Sequence, residues 1–208
     1  MNETAIVHVI DDDASFRRSL LFLLESMGWQ AVGHASAAEF LAAGPALPPE
    51  GGCIVLDIRM PRMSGLELQR ALNAQGAAWP VVFMTGHGDV ELAVQAMKDG
   101  AFDFLQKPFR DQLLLDTVAR AVSDGIERRR RQTRQEEARS LLARLSAREL
   151  EVARLLARGL SNKEVAHRLS ISDNTVHVHR QHVMEKTSTG SAAELAHLIL
   201  RADPAALD

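Results

Sequence analysis

The stretch CIVLDIRMPRMSG at residues 53–65 decides the fold of the first part of the chain. Cys53 to Leu56 form a short apolar run with β-branched members, which predicts a buried strand. Asp57 follows directly, and Ser64-Gly-Leu-Glu67 then has the pattern of a capping box. The stretch therefore predicts a strand that ends on a carboxylate and is followed by a loop and a helix.

The same pattern repeats on both sides of this stretch. Further short apolar runs predict strands at 5–10, 30–33, 81–84 and 102–105, and segments of helical length separate them. Five strands alternating with five helices predict a doubly wound, five-stranded parallel sheet that is covered on both faces. We assign residues 1–122 to this α/β domain.

Charge and composition divide the chain into two parts. Residues 1–122 contain 9 Lys and Arg against 15 Asp and Glu, whereas residues 123–208 contain 15 against 12. This asymmetry indicates two modules with different partners. The single cysteine, Cys53, excludes an intrachain disulfide and a Cys-rich metal site. Because no apolar run could span a membrane and no signal pattern opens the chain, we expect a cytoplasmic protein with no membrane partner.

Residues 123–144 predict a helical linker, in which Gly125 is the one helix breaker. Charged pairs four residues apart, such as Asp124 with Arg128, support an exposed helix that continues from the first domain over 123–143. A flexible linker is the alternative. The basic run 128–131 is either a solvated face or a phosphate-contacting patch.

Residues 145–208 predict an all-α domain of four short helices. Capping boxes begin at Ser146 and Ser161, and residues 161–185 have the length of a helix-turn-helix motif. A glutamine can read adenine and a valine can contact a thymine methyl group, while basic side chains contact phosphates. The candidate DNA contacts are Asn174, Thr175, His177, Val178, Gln181 and His182 for bases, with Lys163, Arg180 and Lys186 for phosphates. A plain helical bundle used for dimerisation is the alternative.

Polar side chains follow four of the predicted strands. These are Asp11, Asp12 and Asp13 after the first, Asp57 after the third, Thr85 after the fourth and Lys107 after the fifth. Because the carboxyl ends of parallel strands meet at one edge, these groups are expected to converge. Crowded carboxylates favour a cation such as Mg²⁺, and a carboxylate can also accept a phosphoryl group. Asp11 or Asp13 is equally open to a role as a helix cap.

The runs VIDDD (9–13), VLDIRMPRMSG (55–65), MTGHGD (84–89) and FLQKPF (104–109) carry a family resemblance. With them, residues 1–122 resemble the receiver domain of bacterial two-component response regulators. The resemblance implies a flavodoxin-like strand order and a cis bond before Pro108. The implied site residues are the phosphoacceptor Asp57; the Mg²⁺ ligands Asp12, Asp57 and the backbone carbonyl of Arg59, with Asp11 acting through water; and the switch and phosphoryl-binding residues Thr85, Phe104 and Lys107.

A Mg²⁺-dependent phosphohydrolase with an aspartate nucleophile is the rival interpretation of this domain. Such enzymes carry a second aspartate two positions after the nucleophile as general acid and base. Arg59 stands at that position and cannot do this. We therefore expect no enzyme activity on small phosphate esters.

The second domain also carries a family resemblance. The runs LSARELEVA (145–153), GLSNKEVA (159–166) and ISDNTVHVH (171–179) resemble the LuxR-type helix-turn-helix. Joined to a receiver, this domain makes the chain similar to response regulators of the NarL/FixJ type, on the FixJ side. Thr187 departs from the family pattern, which has Leu or Met there.

The two resemblances together imply a transcription factor controlled by phosphorylation. A sensor histidine kinase would phosphorylate Asp57, and the modified chain would form a homodimer on a palindromic site in double-stranded DNA. RNA polymerase is a further candidate partner. A phosphorelay intermediate that does not bind DNA is the second rival interpretation.

Overall fold

The computed structural model describes residues 5–44, 51–77, 79–86 and 90–206. Residues 87–89 of the MTGHGD run lie outside the described residues. Within the described residues the strands are β1 (Ile6–Ile10), β2 (Gln30–His34), β3 (Gly52–Asp57), β4 (Val81–Thr85) and β5 (Asp103–Gln106). Both β3 and β4 are buried along their whole length, as expected for central strands of a sheet covered on two faces.

The strands form one parallel sheet in the order β2-β1-β3-β4-β5. This order confirms the predicted flavodoxin-like topology. The register pairs Ile10 with Leu56 and Asp57 with Met84. The carboxyl ends of β1, β3 and β4 therefore meet at one edge of the sheet.

Apolar clusters cover both faces of this sheet. Leu56 and Phe83 belong to one cluster, and Val55 and Val82 belong to the other, because successive side chains of a strand point to opposite faces. Cys53 is buried in the second cluster, as predicted for a small core residue.

The helices of the described residues are α1 (Ala14–Ser26), α2 (Ala37–Ala42), α3 (Gly65–Ala74), α4 (Val90–Lys98), α5 (Asp111–Leu142), α6 (Ala147–Ala157), α7 (Asn162–Leu169), α8 (Asp173–Thr187) and α9 (Ala192–Ala202). Predicted capping boxes form at Ser64, Ser146 and Ser161. The sequence Ser36-Ala-Ala-Glu39 also predicts a capping box, and only half of that box forms. The hydroxyl of Ser36 accepts the amide of Glu39, but the Glu39 carboxylate accepts the amide of Ala35 instead of that of Ser36.

α5 continues without a break to Leu142, one residue short of the predicted helix over 123–143, so this segment is helical and not a coil. Gly125 lies within it for a reason that helix propensity does not show. A Cβ atom at Gly125 would lie 2.1 Å from the carbonyl oxygen of Gly52, and one at Gly51 would lie 2.7 Å from the Cα of Ile126. These glycines let the helix backbone pass very close to the start of β3.

The chain divides into two compact units, residues 1–130 and 131–208, with the division inside α5. In the second unit, α6 to α9 surround an apolar core that includes Val152, Val176 and Leu195. The leucines at 141, 142 and 145 pack against the apolar clusters of this unit. No helix in the described part of the chain has an apolar stretch able to cross a membrane.

Candidate functional site

The carboxylates at the strand ends converge on one ammonium group. The Nζ atom of Lys107 lies 2.7 Å from Oδ1 of Asp57 and 2.8 Å from Oδ2 of Asp11. Both carboxylates are buried, with 8% of Asp57 and 1% of Asp11 exposed. The parallel sheet thus brings together groups that come from three different strand ends.

The second oxygen of each carboxylate accepts a backbone amide. Oδ2 of Asp57 accepts the N–H of Arg59, and Oδ1 of Asp11 accepts that of Asp13, both at 2.8 Å. Burial raises the pKa of the Asp57 carboxyl above its usual value, and the hydrogen bond from Lys107 opposes this. Burial alone would lower the pKa of Lys107, but the hydrogen bonds and charges of Asp11 and Asp57 outweigh it and raise that pKa. The site therefore holds a charged ammonium against partly desolvated carboxylates.

The neighbouring acids Asp12 and Asp13 have different surroundings. Asp13 is the N-cap of α1, and its Oδ1 accepts the amides of Ser15 at 2.8 Å and Phe16 at 3.0 Å. These backbone hydrogen bonds lower the pKa of Asp13. Asp12 is exposed and lines a cavity of about 530 Å³ that Arg59 also lines. The cap alternative therefore holds for Asp13, while the side chain of Asp12 is exposed beside Arg59.

The two residues with an expected switch role lie on neighbouring strands. Thr85 is buried, and its hydroxyl donates to the carbonyl of Gly86 at 3.1 Å. The amide of Lys107 donates to the carbonyl of Thr85 at 2.7 Å. This hydrogen bond links the end of β4 to the segment after β5 that carries the ammonium. Phe104 is 43% exposed. The Lys107–Pro108 bond is cis, as the family resemblance implied.

Two residues of α1 contact this site although the sequence did not single them out for it. The Lys107 ammonium lies 4.3 Å from the ring centroid of Phe16, a cation–π contact. Arg17 Nη1 donates to the backbone carbonyl of Asp11 at 2.5 Å. The only sequence signal for either residue is that α1 begins directly after the acidic run.

Among the described residues, no group of three or more His, Cys, Asp or Glu side chains is arranged to hold a metal ion. The ammonium of Lys107 lies between the carboxylates of Asp11 and Asp57. The donor set at this edge of the sheet consists of carboxylate oxygens, the type that Mg²⁺ prefers.

The second unit contains the predicted helix-turn-helix. Ser170, in the left-handed conformation, ends α7, and Ser172 caps α8 by accepting the amide of Thr175 at 3.1 Å. Val176 and Val183 form the buried face of α8. The opposite face carries an exposed row at helical spacing, made up of Asn174, His177, Val178 and Gln181. The structure thus places these candidate base contacts together on one exposed surface.

Several of the DNA candidates, Gln181 among them, have partners within the domain. Arg180 Nη1 donates to Oδ1 of Asn162 at 3.1 Å, and Gln181 Nε2 donates to Oε1 of Glu185 at 3.1 Å. The ammonium of Lys186 contacts both carboxylate oxygens of Glu149 on α6. The hydroxyl of Thr175 contacts that of Ser172 at 2.8 Å, and the side chain of Lys163 on α7 is exposed.

The surroundings of Thr187 explain how a threonine fits where the family pattern has Leu or Met. It is buried at the end of α8, and its hydroxyl donates to the carbonyl of Val183 at 2.6 Å and contacts that of Thr189 at 2.8 Å. The polar atom is therefore satisfied locally, and the methyl group remains to fill the core.

Two family models match the chain. The response regulator receiver domain matches residues 7–119, and the bacterial regulatory proteins of the luxR family match residues 143–199. The transcriptional regulatory protein FixJ of Azorhizobium caulinodans is 49% identical over 208 residues, covering 100% of this chain and 98% of FixJ. Nodulation protein W of Bradyrhizobium diazoefficiens is 45% identical over 93% of this chain and 85% of its own length.

Solved structures agree with these matches. The response regulator StyR shares 43% identity at a TM-score of 0.79 and covers 94% of this chain and 98% of its own. Full-length FixJ from B. japonicum shares 42% identity at a TM-score of 0.58 and covers 95% of this chain and 97% of its own.

A receiver fold followed by a LuxR-type helix-turn-helix defines the class of DNA-binding response regulators. The chain belongs to the NarL/FixJ-type response regulators, whose members are transcriptional regulators and not enzymes. A receiver domain implies a sensor kinase as a partner, and a LuxR-type domain implies DNA.

Proposed function

We propose that this chain regulates transcription under the control of phosphorylation at Asp57 by a sensor histidine kinase. Residues 1–122 would form the receiver, 123–144 the linker and 145–208 the DNA-binding domain. The observation that carries the proposal is the ammonium of Lys107, which contacts Asp57 Oδ1 at 2.7 Å and Asp11 Oδ2 at 2.8 Å. This places a fixed positive charge where phosphoryl oxygens would need it.

The chemistry proposed for Asp57 is nucleophilic. A carboxylate oxygen forms a bond to phosphorus while the P–N bond of the kinase's phosphohistidine breaks. Lys107 then pairs with a phosphoryl oxygen, and the amide of Arg59 and the hydroxyl of Thr85 are the nearby donors. The carboxylates of Asp12 and Asp57, with Asp11 through water and the Arg59 carbonyl, are the groups that would hold Mg²⁺. The bound ion supplies positive charge for the transferred group.

The output proposed for phosphorylation is dimerisation through α4 and β5. Val94 and Met97 on α4 are 49% and 42% exposed, and Phe104 on β5 is 43% exposed. Exposed large apolar side chains of this kind favour a protein partner. A homodimer would present two α8 helices to a palindromic duplex in the cytoplasm, with RNA polymerase as a candidate partner there.

Phosphorylation is tested by intact mass after incubation with acetyl phosphate and Mg²⁺. The unchanged chain and the control Asp116→Asn, an exposed aspartate on α5, should each gain one phosphoryl group. Asp57→Asn should gain none while keeping its circular dichroism spectrum. A phosphoryl group on Asp57→Asn would reassign the phosphoacceptor, and steady release of phosphate over many turnovers would favour a phosphohydrolase.

DNA binding is tested with a pool of randomised duplexes. The phosphorylated chain should select a palindromic sequence and should sediment as a dimer, and its affinity should fall steeply with salt. Selection of no duplex, with phosphorylation intact, would instead favour a phosphorelay intermediate.

A further inference from the structure

Glu149 is a buried carboxylate at the third position of α6, with 5% of its surface exposed. It completes the capping box of that helix, because its Oε2 accepts the amide of Ser146 at 2.8 Å. A capping glutamate at the surface would leave its second oxygen to water. In this domain both oxygens instead face α8.

Two side chains one turn apart on α8 approach this carboxylate. Lys186 Nζ lies 2.8 Å from Oε1 and 2.7 Å from Oε2, and Nδ1 of His182 lies 3.7 Å from Oε1. The hydrogen bond from Lys186, followed by that of the Ser146 amide, lowers the pKa of Glu149 to about 2. The carboxylate is therefore ionised at any pH near neutrality, and α6 holds a lasting negative charge against the end of α8.

The opposite flank of α8 is also held. Arg180 Nη1 donates to Asn162 Oδ1 on α7 at 3.1 Å. At about 100° per residue, Lys186 and Arg180 lie on the two sides of the buried stripe formed by Val176 and Val183. The exposed row that contains Gln181 lies between these flanks on the far side. The two polar contacts thus oppose rotation of α8 in either direction.

Apolar packing by itself is non-directional and tolerates a small rotation of a helix, whereas a hydrogen bond depends steeply on geometry. An ion pair whose lysine side chain is 42% exposed also adds little net stability to the whole fold. The Glu149–Lys186 pair therefore contributes to the local fixation and orientation of α8 more than to the global free energy of unfolding.

We propose that Glu149 is a positioning residue for DNA reading, which holds Lys186 and so sets the rotation of α8 that presents Gln181 to base edges. This rests on the proposed function of α8 in DNA reading. It also reassigns Lys186, since an ammonium that contacts both oxygens of Glu149 serves within the domain and not as a phosphate contact.

The test compares Lys186→Met, which keeps the aliphatic stem, with Lys163→Met on the exposed side of α7, which represents the loss of a candidate phosphate contact. Affinity is measured against salt concentration for the selected duplex and its single-base variants. Lys186→Met should weaken binding to the selected duplex by about tenfold, the scale of one lost base contact. It should also reduce discrimination between variants and leave the salt slope unchanged. A salt slope reduced by about 0.9, with equal loss on every duplex, would show a phosphate contact and overturn the proposal.

Two further variants separate positioning from other effects. Glu149→Gln should reproduce the loss seen with Lys186→Met, and the double variant should bind no worse than either single variant, because both remove the same pair. Lys186→Arg should retain most of the affinity. Additive losses in the double variant would contradict the proposal.

One readout needs no DNA. In the free chain, amide hydrogen exchange of α8 should be faster in Lys186→Met and unchanged in Lys163→Met. Unchanged exchange of α8 in Lys186→Met would overturn the proposal even if no duplex had been found. Failure of the unchanged chain to select a duplex would count only against the proposed function.

Discussion

The Nζ atom of Lys107 lies 2.7 Å from Oδ1 of Asp57. The same ammonium contacts Asp11, so one positive charge compensates two partly desolvated carboxylates. The receiver site is therefore arranged around a resident cation of its own, and phosphoryl chemistry at Asp57 would begin from this paired state.

Replacing Lys107 by Gln should destabilise the chain when Mg²⁺ is absent. The change leaves two buried carboxylates without their charged partner, at an expected cost of about 1–3 kcal/mol in the free energy of unfolding. Added Mg²⁺ should stabilise Lys107→Gln more than the unchanged chain. Urea unfolding followed by the fluorescence of Trp29 and Trp79, both in the first unit, measures this. Equal effects of Mg²⁺ on both proteins would argue against a cation site among these carboxylates.

Replacing Asp12 and replacing Asp13 should have different effects on Mg²⁺ affinity and on stability. Asp12→Ala should weaken Mg²⁺ binding in a calorimetric titration, because a direct ligand is lost, without lowering the stability of the metal-free chain. Asp13→Ala removes the N-cap of α1 and should cost about 0.5–2 kcal/mol of stability with Mg²⁺ affinity retained. Unchanged affinity in Asp12→Ala would remove this residue from the metal site.

The histidine pair of β1 and β2 predicts a loss of stability in acid. Nδ1 of His8 lies 2.9 Å from Nε2 of His34. Burial, with the charge of His34, lowers the pKa of His8 from 6.5 to about 4, and burial also lowers the pKa of His34. The unfolded chain thus binds more protons below pH 6.5. The stabilisation is fully present above about pH 6.5 and is lost as the pH falls towards 4.

The comparison that tests this is the urea midpoint of tryptophan fluorescence at pH 7.5 and pH 5. His8→Gln retains a hydrogen-bonding group beside His34 but does not titrate, so this variant should lose less stability in acid than the unchanged chain. An equal loss in both proteins would assign the acid sensitivity to other groups.

Gly125→Ala should destabilise the chain, against the ordinary trend. In an unhindered helix interior this change stabilises by about 1 kcal/mol. Here the added Cβ would lie 2.1 Å from the backbone oxygen of Gly52, so overpacking should cost about 1–3 kcal/mol. Ser123→Ala, at an exposed position of the same helix, is the matched control and should be neutral or stabilising. A stabilising Gly125→Ala would show that α5 does not pass β3 this closely.

Gln181→Ala should cost about 1–3 kcal/mol of binding free energy at one base position of the selected duplex. The side chain lies in the exposed row of α8 and would exchange its bond with Glu185 for one to a base. Lys163→Ala should weaken binding to all duplexes alike if the exposed Lys163 contacts phosphate. Binding to a set of single-base variants distinguishes the two, and uniform loss with Gln181→Ala would make it a backbone contact.

The features that the sequence by itself determined are those that depend on neighbouring residues. Strand and helix periodicity, the serine caps of α3, α6 and α7, and the alternation that makes the sheet parallel are local patterns, and they placed Asp57 and Lys107 at strand ends. Convergence of these ends follows from the topology of any such sheet.

Only the tertiary structure decided which of several chemically equivalent residues meets which partner. Asp11 and Asp13 were equally open to a role as a helix cap in the sequence, yet Asp13 caps α1 and Asp11 contacts Lys107. Helix propensity alone makes Gly125 unfavourable in any helix. Only the close approach of α5 to Gly52 explains why a glycine is needed there. Lys186 meets a glutamate 37 residues away. Such pairings are set by the register and closeness of elements far apart along the chain, because side-chain contacts depend on distances of a few ångströms that no local pattern encodes.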